Sequence, residues 1–552
     1  MKKYFLIISA LIFSLGGCQK MDLTPKDSLS DPLFWKTPND FILEVNNLFN
    51  RSLESFGARD CDSDIAFRLG YDEVSNGTWI APENDSEWNN MYTYLRQANM
   101  IIEKSSVYPG DLKDIERYIA EARFFRAYYH WRLLKRFDSA HIITYVLDVN
   151  SPELMASRDS RADLEDYILA ELEEIHSLLP LQKELKTEEK GRITGGTALA
   201  LKARVALFAG TWAKFHQHRS DYQQLLDQAI SAANRVRTSG QYALFEGKGN
   251  DSYRHLFIDA GDDSSEDIFS SRYYLNIRHH SVDSEFAWGR MGTPSKKLAD
   301  MYLCKSTGLP ISKSNAGFSG YNAIGDEFIN RDPRMTQTFL IPGTIYNNNE
   351  KSNLTCSPVF TVRPETRTGY KLWKFMGEEI RVWETGTYDY HIIRYAEVLL
   401  IQAEATFEKD NSISDEVLNQ TINVVRSRKG VEMPSLTNAF VTTNGLDMRT
   451  EIRRERTVEL AFEGFRRDDI RRWKTAKEEL DQPLKGVKYK GTEYETLNAL
   501  NPGSPGIFDA DGFLIIETDE NRYFTDPKHY YYPLPLRQLI INPNLAPNNP
   551  GW

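Results

Sequence analysis

Apolar residues recur at helical spacing through much of the first half of the chain. In DIERYIAEARFFRAYYHWRLLKRF (114–137) they fall on nearly all sides, which predicts a buried helix. RADLEDYILAELEEIHSLLP (161–180) is amphipathic and is stopped by Pro180. GGTALALKARVALFAGTWAKF (195–215) is rich in closely spaced alanine, and DYQQLLDQAISAANRVRTSGQY (221–242) follows, ending near Gly240. Small residues let helices approach closely. Helix pairs of this length are what tetratricopeptide-type repeats need, although the strict repeat signature is absent.

Between 243 and 390 the pattern changes: Gly, Asp, Ser, Asn and Pro become frequent and apolar runs shorten. EDIFSSRYYLNI (266–277) alternates as a strand does, and RDPRMTQTFLIPGTIY (331–346) and YKLWKF (370–375) read as further short strands. Helical spacing returns in YHIIRYAEVLLIQAEATFEKD (390–410) and SDEVLNQTINVVRSRKG (414–430), and the last 75 residues read as irregular. The expected fold is mainly α, a tetratricopeptide-like scaffold of helix pairs carrying irregular loop and short-strand insertions.

The N-terminus has a different character. MKKYFLIISALIFSLGGC pairs a basic start, Lys2 and Lys3, with an apolar run from Tyr4 to Leu15 that is too short to span a bilayer. This reads as an export signal over 1–17. Leu15-Gly16-Gly17 directly before Cys18 has the order of a bacterial lipobox, so Cys18 is expected to become a lipid-bearing N-terminus and 18–33 a polar tether. Acyl chains would hold the protein on a membrane without a transmembrane helix. The remaining roughly 520 residues exceed one simple core, so several domains or a repeat-built solenoid are expected.

Composition narrows the function. Formal charge is −11, and −13 once Lys2 and Lys3 leave with the signal, which makes an exported nucleic-acid binder a poor fit. Cys61, Cys304 and Cys356 remain after Cys18, an odd number that allows at most one disulfide.

RRERTVELAFEGFRRDDIRRW (453–473) holds seven arginines and five acids, with Glu455, Glu459 and Glu463 four apart. On a helix these acids would line one face, and Glu463 with Arg467 and Asp468 with Arg472 would form local pairs. A hydrolase would need open space between two acids. Acids crowded by arginine forks are held ionised, the wrong tuning for a general acid, so an ion-pair lattice is the better reading. No HExxH, GxSxG or Walker loop is present. His216-Gln217-His218 and the pair His279-His280 lack matching ligands, and FDADGF (508–513) lacks the rest of a calcium loop and reads as a solvated turn. Neither a metal nor a cofactor is expected.

Seven blocks carry a resemblance, together with the lipobox Cys18. They are EARFFRAYYHWRLLKRF (121–137), RITGGTALALKARVALFAG (192–210), RDPRM (331–335), IIRYAEVLLIQAEA (392–405), INVVRSRKGV (422–431), RRERTVELAFEGFRRDDIRRW (453–473) and YYYPLPLRQLIINPNLAPNNPGW (530–552). In that order they resemble SusD/RagB-type outer-membrane lipoproteins along nearly the whole chain. The resemblance implies an N-terminal SusD-like helical region over 34–245 and a C-terminal RagB/SusD region over 246–552 that carries the ligand loops. It implies a non-enzyme on the outer face of the outer membrane, capping a SusC-like TonB-dependent transporter and delivering oligosaccharide or polysaccharide, or in some members peptide. One departure is the sparse acidic content after Cys18, where only Asp22 and Asp27 stand.

Sugar binding asks for aromatics on loops with polar neighbours. GYDEVSNGTWIAPENDSEW (70–88) offers Trp79 and Asn84, SSRYYLNIRHHSVDSEFAWGRMG (270–292) offers Tyr274, Phe286, Trp288 and Arg290, and GFSGYNAIGDEF (317–328) offers Phe318 and Tyr321. Trp88, Trp131 and Trp473 are expected to pack in helices, and Trp383 fits either strand packing or a loop contact. Arg272, Arg278 and Arg290 with His279 and His280 would suit a ligand bearing carboxylate or sulfate. Pairing with Asp283, Glu285 or Glu266 is the reading favoured over it. An apolar groove would point to peptides and an aromatic platform to sugar. A surface glycoside hydrolase is the third alternative.

Overall fold

The computed structural model describes residues 34–57, 60–68, 70, 72–282, 285, 291–347, 353–358, 368–378, 385–500 and 506–552. Nine helices of seven or more residues occur among them: α1 (Pro38–Ser52), α2 (Ser86–Lys104), α3 (Glu116–Phe137), α4 (Arg161–Ile175), α5 (Gly195–His216), α6 (Tyr222–Thr238), α7 (Tyr395–Asp410), α8 (Met448–Glu459) and α9 (Arg466–Arg472). Local chemistry sets their starts. Asp85 accepts from the Glu87 amide at 2.8 Å, Thr194 from Thr197 at 3.1 Å and Asp447 from Thr450 at 2.8 Å, each supplying an acceptor to amides that the first helical turn leaves open.

From α2 to α7 each helix packs on the next, the arrangement of stacked helix pairs. α3 is buried on nearly all sides, as its pattern predicts, with Phe124, Phe125, Tyr128, Tyr129 and Trp131 all inside. α5 and α6 approach at Gly210, where a Cβ would come within 2.8 Å of the Leu226 side chain. No helix among the described residues is long and apolar enough to cross a membrane.

Strands are few and short: β1 (Ala66–Phe67), β2 (Asp267–Ser271), β3 (Thr293–Pro294), β4 (Ile345–Tyr346), β5 (Leu354–Thr355), β6 (Tyr390–Arg394), β7 (Leu484–Lys488), β8 (Ile507–Phe508) and β9 (Phe513–Glu517). All pairings are antiparallel: β1 with β3, β2 with β6, β4 with β5, and a three-stranded sheet ordered β7-β9-β8.

Several expectations need correcting. YHIIR begins as strand β6 rather than helix, because β2 supplies an antiparallel partner and all five of its side chains are buried. RDPRMTQTF is a short helix, Pro333–Thr338, with Asp332 as its cap and proline at its first turn, and only Ile345–Tyr346 beyond it is a strand. The 266–277 strand ends at Ser271, since Tyr274 and Arg278 close a tight turn. Residues 370–375 contribute a single bridge, Phe339 to Leu372. SDEVLNQTINVVRSRKG breaks at Thr421 into two short helices. The supposedly irregular C-terminal stretch holds the β7-β9-β8 sheet, and FDADGF is its turn, closed by Asp509 accepting from the Asp511 and Phe513 amides.

Among the described residues two large hydrophobic cores result, with a small third cluster at Cys304, Leu309 and Ala316. One runs through the stacked helices, and the other gathers Tyr253, Phe257, Tyr302, Phe339, Val458 and Phe462 beneath the C-terminal loops. Cys61, Cys304 and Cys356 are free and buried.

Candidate functional site

The stacked acids of 453–473 lie inside the protein. α8 stops at Glu459, and the chain turns through Phe462 and Gly464, both at positive φ, before α9 begins. Glu455 pairs with Arg334 and Arg426, each at 2.7 Å. Glu459 is ringed by Arg334 at 2.9 Å, Arg394 at 2.7 Å and Arg428 at 2.8 Å, and Glu463 holds Arg394 and Lys374. Burial works against ionisation, yet Arg428, Arg394 and Arg334 keep the Glu459 carboxyl down at about 2. The lattice reading holds, but the partners are distant in sequence. Glu463 does not pair with Arg467, and Asp468 pairs with Lys135 and Arg471 while Arg472 takes Glu404 and Asp469. These acids are enclosed and already paired within the protein.

The loop candidates separate. Tyr274 is 51% exposed at the tip of its turn, beside Leu275 and Ile277, and its hydroxyl accepts from Arg272 at 2.8 Å. Arg272 pairs with Asp263 and Asp389, not with the acids expected from the loop, and Arg278 lies 4.6 Å over the Tyr273 ring. Tyr321 meets Phe318 and Phe513 edge-on, with Lys296 and Lys488 over its ring at 5.2 and 5.4 Å, so lysines rather than open space face it. Phe286, Trp288, Arg290 and Trp383 lie outside the described residues, as does Cys18. Trp88, Trp131 and Trp473 are buried as expected. His216 stacks on Trp212 at 4.1 Å and accepts no metal set, and no group of three metal-ligating side chains occurs among the described residues.

Trp79 takes part in an aromatic wall. Its ring stands 4.3 Å from Tyr532 and 4.9 Å from Trp552, and Asn84 is exposed on the same loop. Trp552 is pinned by its indole N–H to the Lys528 and Tyr531 carbonyls. Tyr532 also lines a cleft of about 490 Å³ between the end of α3, the start of α9 and the 53–72 segment. Six cationic and six acidic side chains line that cleft. Arg132 holds Glu87 through two bonds, Arg68 holds Asp72, and Lys135 and Arg471 hold Asp468. Asp60 accepts from the Gly464 and Arg466 amides, and burial together with Asp62 and Asp469 pushes its carboxyl up to about 7. Sequence reasoning missed Asp62, Arg467 and Tyr532 here, since no spacing relates residues so far apart.

A second, more apolar groove of about 890 Å³ lies between α2, the 141–155 loop and the C-terminal 536–545 turn. Val149, Leu154, Met155 and Ile541 stand exposed in it. Its polar side chains serve the chain itself: Arg96 donates to the Leu147 carbonyl, and Asn542 and His141 bond that of Ala156.

Stacked helix pairs form the frame, and the charged cleft and the apolar groove open on it. Comparison then gives the lineage. Residues 255–552 match the SusD family model, and residues 63–207 match one described as "Starch-binding associating with outer membrane". The chain belongs to the SusD family. It is 25% identical to SusD-like protein P2 of Formosa agariphila over the full length of both chains. Its fold is that of a SusD-like carbohydrate binding protein from Bacteroides fragilis, with a TM-score of 0.76 and 24% identity over 93% of this chain and all of that one. A laminarin binding SusD-like protein also shares it, with a TM-score of 0.62 and 19% identity over 94% of this chain and all of the other.

Proposed function

We propose that this protein is a non-catalytic capture protein, anchored to the outer membrane through Cys18 and facing the exterior. On this reading it holds oligosaccharide or polysaccharide and passes it to a SusC-like TonB-dependent transporter. The observation that carries the reading is the Trp79–Tyr532–Trp552 wall standing beside a cleft dense in hydrogen-bonding groups. The Trp79 ring would cover the apolar face of a pyranose, since cations already lie over the other two (Arg136 and Arg471 over Tyr532 at 4.8 and 4.9 Å, Lys528 over Trp552 at 4.3 Å), and alternating donors and acceptors suit its hydroxyls. Family membership and the carbohydrate-binding relatives support it. The acids around the cleft argue against hydrolysis, because most are held by the protein itself: Asp60 by two backbone amides, Asp72 by Arg68, Glu87 by Arg132 and Asp468 by Lys135 and Arg471.

The apolar groove beside α2 supports a second reading, capture of peptides by the same architecture. It ranks below the first because three of the groove's polar side chains, Arg96, His141 and Asn542, are already bonded to the protein's own backbone.

The test uses protein beginning at Gln19, with calorimetry and affinity gels against neutral, anionic and host-type polysaccharides and a peptide mixture. Trp79→Ala and Trp288→Ala run in parallel. The expected result is one polysaccharide class bound, left uncleaved, and held more weakly by an aromatic variant. Release of reducing ends would establish a hydrolase instead, and binding of peptides alone would establish the second reading.

A further inference from the structure

The charged cleft contains groups that its internal ion pairs do not satisfy. Arg467 is only 4% exposed, yet among the described residues its Nε and Nη1 have no hydrogen-bond partner, and Nη2 alone donates, to the His529 carbonyl at 3.1 Å. Burying guanidinium N–H groups unmatched is costly, more so for a charged group than for a neutral one. Asp62 lines the same cleft, half-buried, and no donor other than its own backbone amide reaches it among the described residues. The Arg467 charge acts on Asp62 without closing to an ion pair, and Asp62 and Arg467 both act on the Tyr532 phenol. Burial keeps that phenol protonated, so it is available as a donor.

The cleft therefore leaves one acceptor and two kinds of donor unmatched around a shared space, with an anionic and a cationic group both facing it. A carboxylate or sulfate at that point would face Asp62, and an ammonium would face Arg467. A neutral group that donates and accepts from adjacent atoms meets neither penalty. A vicinal pair of sugar hydroxyls is such a group: its O–H donates to the Asp62 carboxylate while its oxygens accept from Arg467 and Tyr532. The aromatic wall at Trp79 then continues the surface for the next ring. We infer that Asp62, Arg467 and Tyr532 form a binding subsite for a neutral sugar unit of the captured glycan. This inference rests on the glycan-capture reading and gives it a place and a charge.

The experiment is calorimetry on protein beginning at Gln19, which keeps every described residue. The probes are neutral gluco-, galacto-, manno- and xylo-oligosaccharides of two to six units, uronate oligosaccharides and a peptide mixture. Parent, Asp62→Asn, Arg467→Gln, Tyr532→Phe and the distant control Tyr222→Phe on α6 are compared, each with a thermal melt. The expected result is a neutral oligosaccharide that binds the parent and the control equally. It loses about tenfold or more in affinity in Asp62→Asn, in line with a hydrogen bond to a charged group, and less in Tyr532→Phe. Tyr532→Phe keeps the ring packing, so it remains readable if the Arg467 variant fails to fold. If a sugar binds the parent and all three cleft variants alike, the subsite is elsewhere and glycan capture still stands. If only uronates bind, the neutral assignment is overturned. If peptides alone bind, or nothing does, the cleft holds water only and the capture reading falls with it.

Discussion

Glu459 shows what a buried acid does in this protein. Three guanidinium groups surround it within 2.9 Å, and it is fully enclosed. Replacing it by Gln leaves Arg334, Arg394 and Arg428 short of one negative charge in a dry interior, and loss of one partner from such a set costs about 3–5 kcal/mol. Glu459→Gln should therefore lower the melting temperature sharply, or prevent folding, when measured by calorimetric melt. Asp62 is the opposite case. Burial and the nearby Asp72 raise its carboxyl from 3.8 to about 6. A raised acid favours the folded state fully only below its unfolded value, and that contribution is lost as pH rises from about 4 through about 6. Asp62→Asn should thus gain melting temperature over the parent progressively across that window and hold the gain at pH 8. A constant difference from pH 4 to pH 8 would show that Asp62 titrates normally.

At the level of elements, helices were legible where one face or the whole circumference had to be apolar. α3 and α5 follow their patterns closely, since burial by neighbouring helices is what those patterns encode. YHIIR was not legible, because an apolar run of that length suits helix and strand alike, and only the distant β2 decides between them. The α5–α6 contact makes a measurable claim. At Gly210 an added methyl would crowd Leu226 at 2.8 Å, and overpacking of about 1–3 kcal/mol outweighs the roughly 0.5–1 kcal/mol that alanine gains as a helix former. Gly210→Ala should be net destabilising in chemical denaturation, and a stabilised variant would mean that the two helices can part without loss.

Across the whole molecule, fold class and family were readable because they depend on repeated, redundant signals such as helix spacing and the 453–473 block. The candidate site was only half readable. Trp79 and Asn84 sit on a loop whose composition marks it, but Asp62, Arg467 and Tyr532 come from three remote segments, and Arg467 looks locally like one more member of an ion-pair ladder. The interior acids also set a global property. Against desolvation, Arg472 and Arg456 hold Glu404 at about 2, as the three arginines hold Glu459. Depressed acids stabilise the fold above their unfolded value, 4.5, and that stability is lost as pH falls toward about 2. Melts taken at successive pH values should therefore show the steepest fall in stability below about pH 4.5. A flat profile there would show that the lattice does not stay ionised.

The position of Trp552 bears on how the protein can be handled. Its indole stands against Trp79 and is fastened to the Lys528 and Tyr531 carbonyls, so Trp552 is part of the aromatic wall. A purification tag, fluorophore or immobilising linker fused after Trp552 would emerge beside that wall and screen it. Binding measured through a fusion joined at Trp552 should read weaker than binding measured with the same label on an exposed side chain of α6.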